Sequence, residues 1–115
     1  MTITIYHNPR CSKSRQTLAL LQERGITPNV KEYLTDVPSA EELKNMLDML
    51  KLKPRDLMRK NEPDYIENGL NDPALNDEAL IKAMVTHPKL IERPIVINGK
   101  KAAIGRPPES VLEIL

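Results

Sequence analysis

The chain has 115 residues, a size that fits one domain able to bury a core without disulfides or a structural metal. Seventeen Lys and Arg against sixteen Asp and Glu leave a formal charge of +1, which removes any general electrostatic reason to bind nucleic acid or a membrane surface. No apolar stretch approaches the roughly 20 residues that a membrane span requires, and the first residues, Met-Thr-Ile-Thr-Ile-Tyr, have no basic leader pattern, so a cytoplasmic protein is expected.

In chain order, residues 2 to 7 are rich in Thr, Ile and Tyr and predict a strand that stops at the turn-forming pair Asn8-Pro9. A helix is predicted from Lys13 to Arg24, with Leu18 and Leu21 on one side and Gly25 placed as its C-terminal cap. Asn29 to Leu34 suggests a second strand. Ser39 and Glu42 form a capping-box signature ahead of the apolar stripe Leu43, Met46, Leu47 and Leu50. Pro54 to Lys60 is expected to form a short helix. The polar stretch Asn61 to Asp77, interrupted by Pro63, Gly69 and Pro73, reads as a surface connection with some helical turns. A helix carrying Leu80, Ile81, Met84 and Val85 follows and ends at His87-Pro88. Pro94 to Ile97 and Lys101 to Ile104 read as a hairpin turning at Asn98-Gly99, and Pro107-Pro108 opens a last helix with Val111, Leu112 and Leu115.

The order is βαβ, a helical insert over about residues 39 to 91, then ββα. An early βαβ unit implies parallel strands joined by a right-handed crossover, and the hairpin adds an antiparallel pair. The expected fold is therefore α/β, a mixed four-stranded sheet of thioredoxin-like layout, in one domain spanning residues 1 to 115.

Cys11 is the only cysteine, so no internal disulfide can form, and His7 and His87 alone supply no zinc-ligand spacing. The segment His7-Asn8-Pro9-Arg10-Cys11-Ser12-Lys13-Ser14-Arg15 places this thiol in the first turn of a helix. Unpaired backbone N–H groups and the positive end of the dipole favour a thiolate there. Arg10, Lys13 and Arg15 add positive charge, and the hydroxyls of Ser12 and Ser14 are available to the sulfur or to a bound oxyanion. A lone cysteine is more often an inert core residue, but a turn of Asn, Pro, Arg, Ser and Lys is not a core environment. For His7 two readings stay open: a group that lowers the thiol pKa from the strand end, or a satisfied structural histidine.

The loop resembles the signature His-Asn-Pro-x-Cys-x-x-Ser-Arg of the glutaredoxin-coupled arsenate reductase family. Further segments resemble it in order and spacing: Leu57-Met58-Arg59-Lys60-Asn61, Glu92-Arg93-Pro94-Ile95-Val96, Gly105-Arg106-Pro107 and Val111-Leu112-Glu113-Ile114-Leu115. The resemblance covers essentially the whole chain. It implies that Cys11 attacks arsenate or a similar oxyanion, that glutathione as co-substrate displaces the adduct with release of arsenite, and that glutaredoxin reduces the resulting mixed disulfide. No bound cofactor or metal is implied. Arg59, Arg93 and Arg106 match the three arginines that hold the oxyanion and stabilise the thiolate, with His7, Asn8, Ser14 and Arg15 as the supporting loop. Guanidinium forks suit tetrahedral oxyanions and stay charged in any surroundings. Taken singly, each arginine reads as a solvated surface residue, and only the joint pattern overturns that. Arg93 and Arg106 each precede a proline, which biases their backbone toward extended forms. The Pro94 bond is expected to be cis, as thioredoxin-like proteins carry a cis proline opposite the active-site cysteine. Where arsenate-active members of the family typically carry Gly-Thr after the cysteine, this chain has Ser12-Lys13, a bulkier and more cationic cradle.

Two other classes compete. Spx-type regulators share the fold and contact RNA polymerase, but sense oxidation through a Cys-x-x-Cys pair; Ser14 stands at the second position here, leaving only a redox-independent binding role. A monothiol glutaredoxin-like oxidoreductase would need the acidic thiol but no arginine trio.

Overall fold

The computed structural model describes residues 2–115. It holds four strands, β1 (Ile3–His7), β2 (Asn29–Glu32), β3 (Ile95–Asn98) and β4 (Lys101–Ile104), and four α-helices, α1 (Ser12–Glu23), α2 (Ala40–Leu50), α3 (Pro63–Glu67) and α4 (Asp77–Thr86). Short 3₁₀ segments occupy Pro54–Leu57, Pro88–Leu90 and Pro108–Ile114. Two compact units result. The first comprises the chain up to Asp36 together with Arg93–Leu115, and the second comprises Val37–Glu92.

The first unit carries the whole sheet, in the order β2-β1-β3-β4. β1 pairs parallel with β2 and antiparallel with β3, and β3 pairs antiparallel with β4, so the expected mixed four-stranded sheet is present. In this register Ile5 stands opposite Val30 on one side and Val96 on the other. Ile5, Leu21, Val96 and Val111 form the buried cluster, with Leu18, Ala103 and Ile114 among the residues packed around it. Each such aliphatic side chain stabilises the fold by about 1.5–3 kcal/mol when fully buried. Helix α1 ends in a Schellman motif: Gly25 takes φ +76, its N–H donates to the carbonyl of Gln22, and the N–H of Ile26 donates to that of Leu21.

Two expectations for this unit need correction. Asn98 pairs with Lys101 as the last residue of β3, so the turn is Gly99-Lys100, one residue later than the Asn98-Gly99 pair suggested. Gly99 alone has positive φ (+62), the pattern of a hairpin turn with glycine at the first central position. The Asn98 side chain is buried instead, where its amide donates to the carbonyl of Ile114 at 2.7 Å. The terminal helix is 3₁₀ rather than α and packs on α1 and β4.

In the second unit the Ser39 capping box forms: Ser39 Oγ accepts from the Glu42 N–H at 3.1 Å and Glu42 accepts from the Ser39 N–H at 3.4 Å. Leu43, Met46 and Leu47 are buried from α2, and Leu80, Ile81 and Met84 from α4, whose N-terminus is capped by Asn76. The helix expected over Pro54–Lys60 stops at Leu57, because Met58 bridges Ile91 as an isolated β-pair. The Arg59 N–H then donates to Leu90 and the Glu92 N–H to Leu57. Arg55 orders the polar connection from within, donating to the Tyr65 hydroxyl and to the carbonyls of Leu70 and Asp72. Among the described residues no helix is long and apolar enough to cross a membrane.

Candidate active site

The β1–α1 junction is built from local hydrogen bonds. Asn8 closes a turn in which its carbonyl accepts from the Cys11 N–H and its side-chain Oδ1 from the Arg10 N–H, each at 3.0 Å. Cys11 is the N-cap residue of α1, in extended backbone geometry, and its carbonyl accepts from the Arg15 N–H. Cys11 as a whole is 8% exposed. Burial by itself pushes the thiol pKa up. That effect is outweighed by the backbone N–H of Ser14, the Arg93 guanidinium, the backbone N–H of Lys13 and the Arg106 guanidinium, and the thiol lies below its ordinary value. The thiolate is thus favoured both by the open turn of the helix and by two arginines from the far end of the chain.

Arg106 reaches the sulfur directly: its Nη2 lies 3.5 Å from Cys11 Sγ, while its Nε donates to the carbonyl of Arg93 at 2.8 Å. Both arginines precede cis prolines, Arg93-Pro94 as expected and Arg106-Pro107 in addition. The two segments are laced together where the Gly105 N–H donates to the Pro94 carbonyl at 2.9 Å. No side chain fits at Gly105. A Cβ there would run into the Thr17 side chain and lie 2.7 Å from Pro94 Cγ, so this glycine is the point where α1, Pro94 and the Arg106 segment come together.

Ser14 is fully buried and its hydroxyl is committed away from the sulfur. Oγ accepts from the Asn8 N–H at 3.0 Å and sits 2.6 Å from His7 Nδ1, in a bond whose donor depends on the histidine tautomer. Only the backbone N–H of Ser14 serves Cys11. His7 is 6% exposed, and burial lowers its pKa; Glu32 opposes that shift and Arg15 adds to it. A neutral imidazole bonded to Ser14 agrees with the structural reading of His7. The Arg15 guanidinium donates to the Pro9 carbonyl at 2.9 Å, bracing the loop.

Arg59 belongs to the second unit. Its Nη1 pairs with Glu62 at 3.1 Å and reaches the Lys89 carbonyl at 3.4 Å. Sequence reasoning placed Cys11, Arg59, Arg93 and Arg106 in one site; the fold of the first unit brings Cys11, Arg93 and Arg106 together, whereas Arg59 lies in the second unit. That reasoning missed the packing role of Gly105 and Thr17 and the second cis bond, for which the Gly105-Arg106-Pro107 triplet was the available signal.

The chain matches the ArsC family over residues 6–114. It is 50% identical to an arsenate reductase of Haemophilus influenzae across all of both chains. It is 54% identical to an uncharacterized protein of Escherichia coli K12, YfgD, over 98% of this chain and 96% of that one. Among solved structures, the arsenate reductase from Vibrio cholerae superposes with a TM-score of 0.98 at 56% identity, covering 100% of this chain and 98% of that one.

Proposed function

This chain belongs to the ArsC family and has its thioredoxin-like fold, and from that premise we propose that it reduces arsenate to arsenite in the cytoplasm, with glutathione and glutaredoxin as the electron source. The carrying observation is the contact of Arg106 Nη2 with the sulfur of an acidified Cys11. Such a guanidinium stabilises first the thiolate and then the negative oxygens of a tetrahedral oxyanion bound beside it.

In the proposed cycle the Cys11 thiolate attacks arsenic, forming an S–As bond as one arsenate hydroxyl, protonated from solvent, leaves as water. A glutathione thiolate then attacks Cys11 Sγ, and the S–As electron pair passes to arsenic, which departs as arsenite in the +3 state. Cys11 is left in a mixed disulfide with glutathione. Attack of a glutaredoxin thiolate on the glutathione sulfur releases the Cys11 thiolate. One thiol suffices, consistent with a chain that has one cysteine. In this cycle Arg93 and Arg106 hold the oxyanion, and the family resemblance implies the same role for Arg59.

The test is an assay of purified protein with arsenate, glutathione, glutaredoxin, glutathione reductase and NADPH, with Cys11→Ser in parallel. Arsenate-dependent NADPH loss by the unaltered protein alone supports the cycle. Turnover of glutathione mixed disulfides without any response to arsenate would replace it with the monothiol oxidoreductase reading.

A further inference from the structure

A cleft of about 310 Å³ lies at the carboxyl ends of the parallel strands β1 and β2. Crevices at this end of parallel strands are the usual ligand positions in open α/β sheets, and the volume is at the lower bound for a small-ligand site. One wall is the Asn8-Pro9-Arg10 turn, which runs directly into Cys11. The other is the end of β2 and the residues after it, Glu32, Leu34 and Thr35.

The lining has a definite polarity. Arg10 is exposed, and its guanidinium has no hydrogen-bond or ion-pair partner among the described residues. Glu32 is an exposed carboxylate on the opposite wall, and its charge is felt by His7. The Thr35 hydroxyl donates to the Glu32 carbonyl at 3.2 Å, and its oxygen keeps lone pairs able to accept. Pro9 and Leu34 add apolar surface to the lining. A cation and an anion on separate walls, in a cleft with some apolar lining, complement a short peptide that carries a carboxylate at one end and an ammonium at the other.

Resting on the cycle proposed above, we infer that this cleft is the subsite for the peptide thiol, glutathione in that cycle, with its glycyl carboxylate on Arg10 and its γ-glutamyl ammonium on Glu32. The central cysteinyl thiol then faces the turn that leads into Cys11. Arg10 and Glu32 are positioning residues here, and neither takes part in the arsenate step.

The experiment pairs binding with kinetics. S-methylglutathione, which cannot react, is titrated into the full chain while backbone amide NMR shifts are followed. Shifts are expected at Arg10, Glu32 and Thr35. In the coupled assay, Arg10→Gln and Glu32→Gln are each expected to raise the KM for glutathione threefold to tenfold, with the KM for arsenate and the Cys11 pKa unchanged. A merely structural role would move the latter two as well. Glutathione ethyl ester, whose glycyl carboxylate is capped, should lose the same factor on the unaltered protein and nothing more on Arg10→Gln. Turnover with an unchanged glutathione KM in both variants, or shifts that avoid the cleft, would overturn the subsite while leaving the arsenate cycle in place. Absence of arsenate turnover, with cleft shifts that disappear in Arg10→Gln, would overturn the arsenate reading and keep the subsite.

Discussion

One guanidinium joins the two ends of the site: Arg106 donates from Nε to the backbone carbonyl of Arg93 at 2.8 Å and presents Nη2 to Cys11 Sγ at 3.5 Å. Because the fork is planar and rigid, anchoring Nε aims Nη2, so backbone placement of the Arg93 segment is transmitted to the sulfur.

Arg106→Lys keeps the charge but cannot anchor at one nitrogen and reach the sulfur with another. The thiol pKa is expected to rise, and kcat/KM for arsenate to fall roughly 10- to 100-fold, the equivalent of a charge-assisted hydrogen bond of about 1.5–3 kcal/mol. Thiolate absorbance against pH and steady-state kinetics check the two halves separately. A variant with wild-type kinetics would mean that charge alone suffices.

The Cys11 thiol titrates below its ordinary value in the folded chain. The folded state therefore binds fewer protons than the unfolded one between the lowered and the ordinary thiol pKa. The linked stability is complete above the ordinary value and is lost as pH falls through the lowered one. Cys11→Ser removes this pH-dependent component, which denaturant melts of both proteins across that window reveal as a difference that closes at low pH.

His7 also titrates below its ordinary value, here because its neutral form is the one accommodated by burial. Stability should rise with pH through the window below about 6.5, and His7→Gln should flatten that slope. Ser14→Ala leaves the Asn8 N–H without its acceptor and His7 Nδ1 without its partner. A loss of about 1–3 kcal/mol in unfolding free energy is expected for such an unsatisfied buried group. A loss within experimental error would show that water replaces the hydroxyl.

Gly105→Ala forces a methyl group against Thr17 and the Pro94 ring. Overpacking of this kind costs about 1–3 kcal/mol, and it displaces Arg106, so the Cys11 pKa should rise along with the loss of stability. Thr17→Ala added to Gly105→Ala removes one of the two obstacles and should restore part of both properties. Equal pKa values in all three proteins would separate the glycine from the site and make it a packing residue only.

The elements that sequence reasoning located well are those set by near neighbours in the chain. The capping box at Ser39 and Glu42 and the C-terminal turn at Gly25 follow from hydrogen bonds between residues no more than five apart, and both are formed. The reading failed where a distant partner decides. The hairpin turn moved by one residue because the Asn98 amide is buried on the carbonyl of Ile114. The segment after Pro54 left helical geometry because Met58 pairs with Ile91. The Ser14 hydroxyl, free in sequence to serve the sulfur, is taken by His7 and Asn8.

By itself the sequence determined that a single thiol stands where a strand turns into a helix, since the β-forming run, the Asn-Pro turn and the helix formers around Cys11 are contiguous and act over a few residues. Only the tertiary structure decided what faces that thiol. Arg106 is 95 residues from Cys11 along the chain and meets it through the order of the sheet, the antiparallel register of β1 with β3, and the close approach at Gly105. Residue types announce which groups carry charge, but strand order and packing distance determine which of the 17 basic residues come within reach of one sulfur.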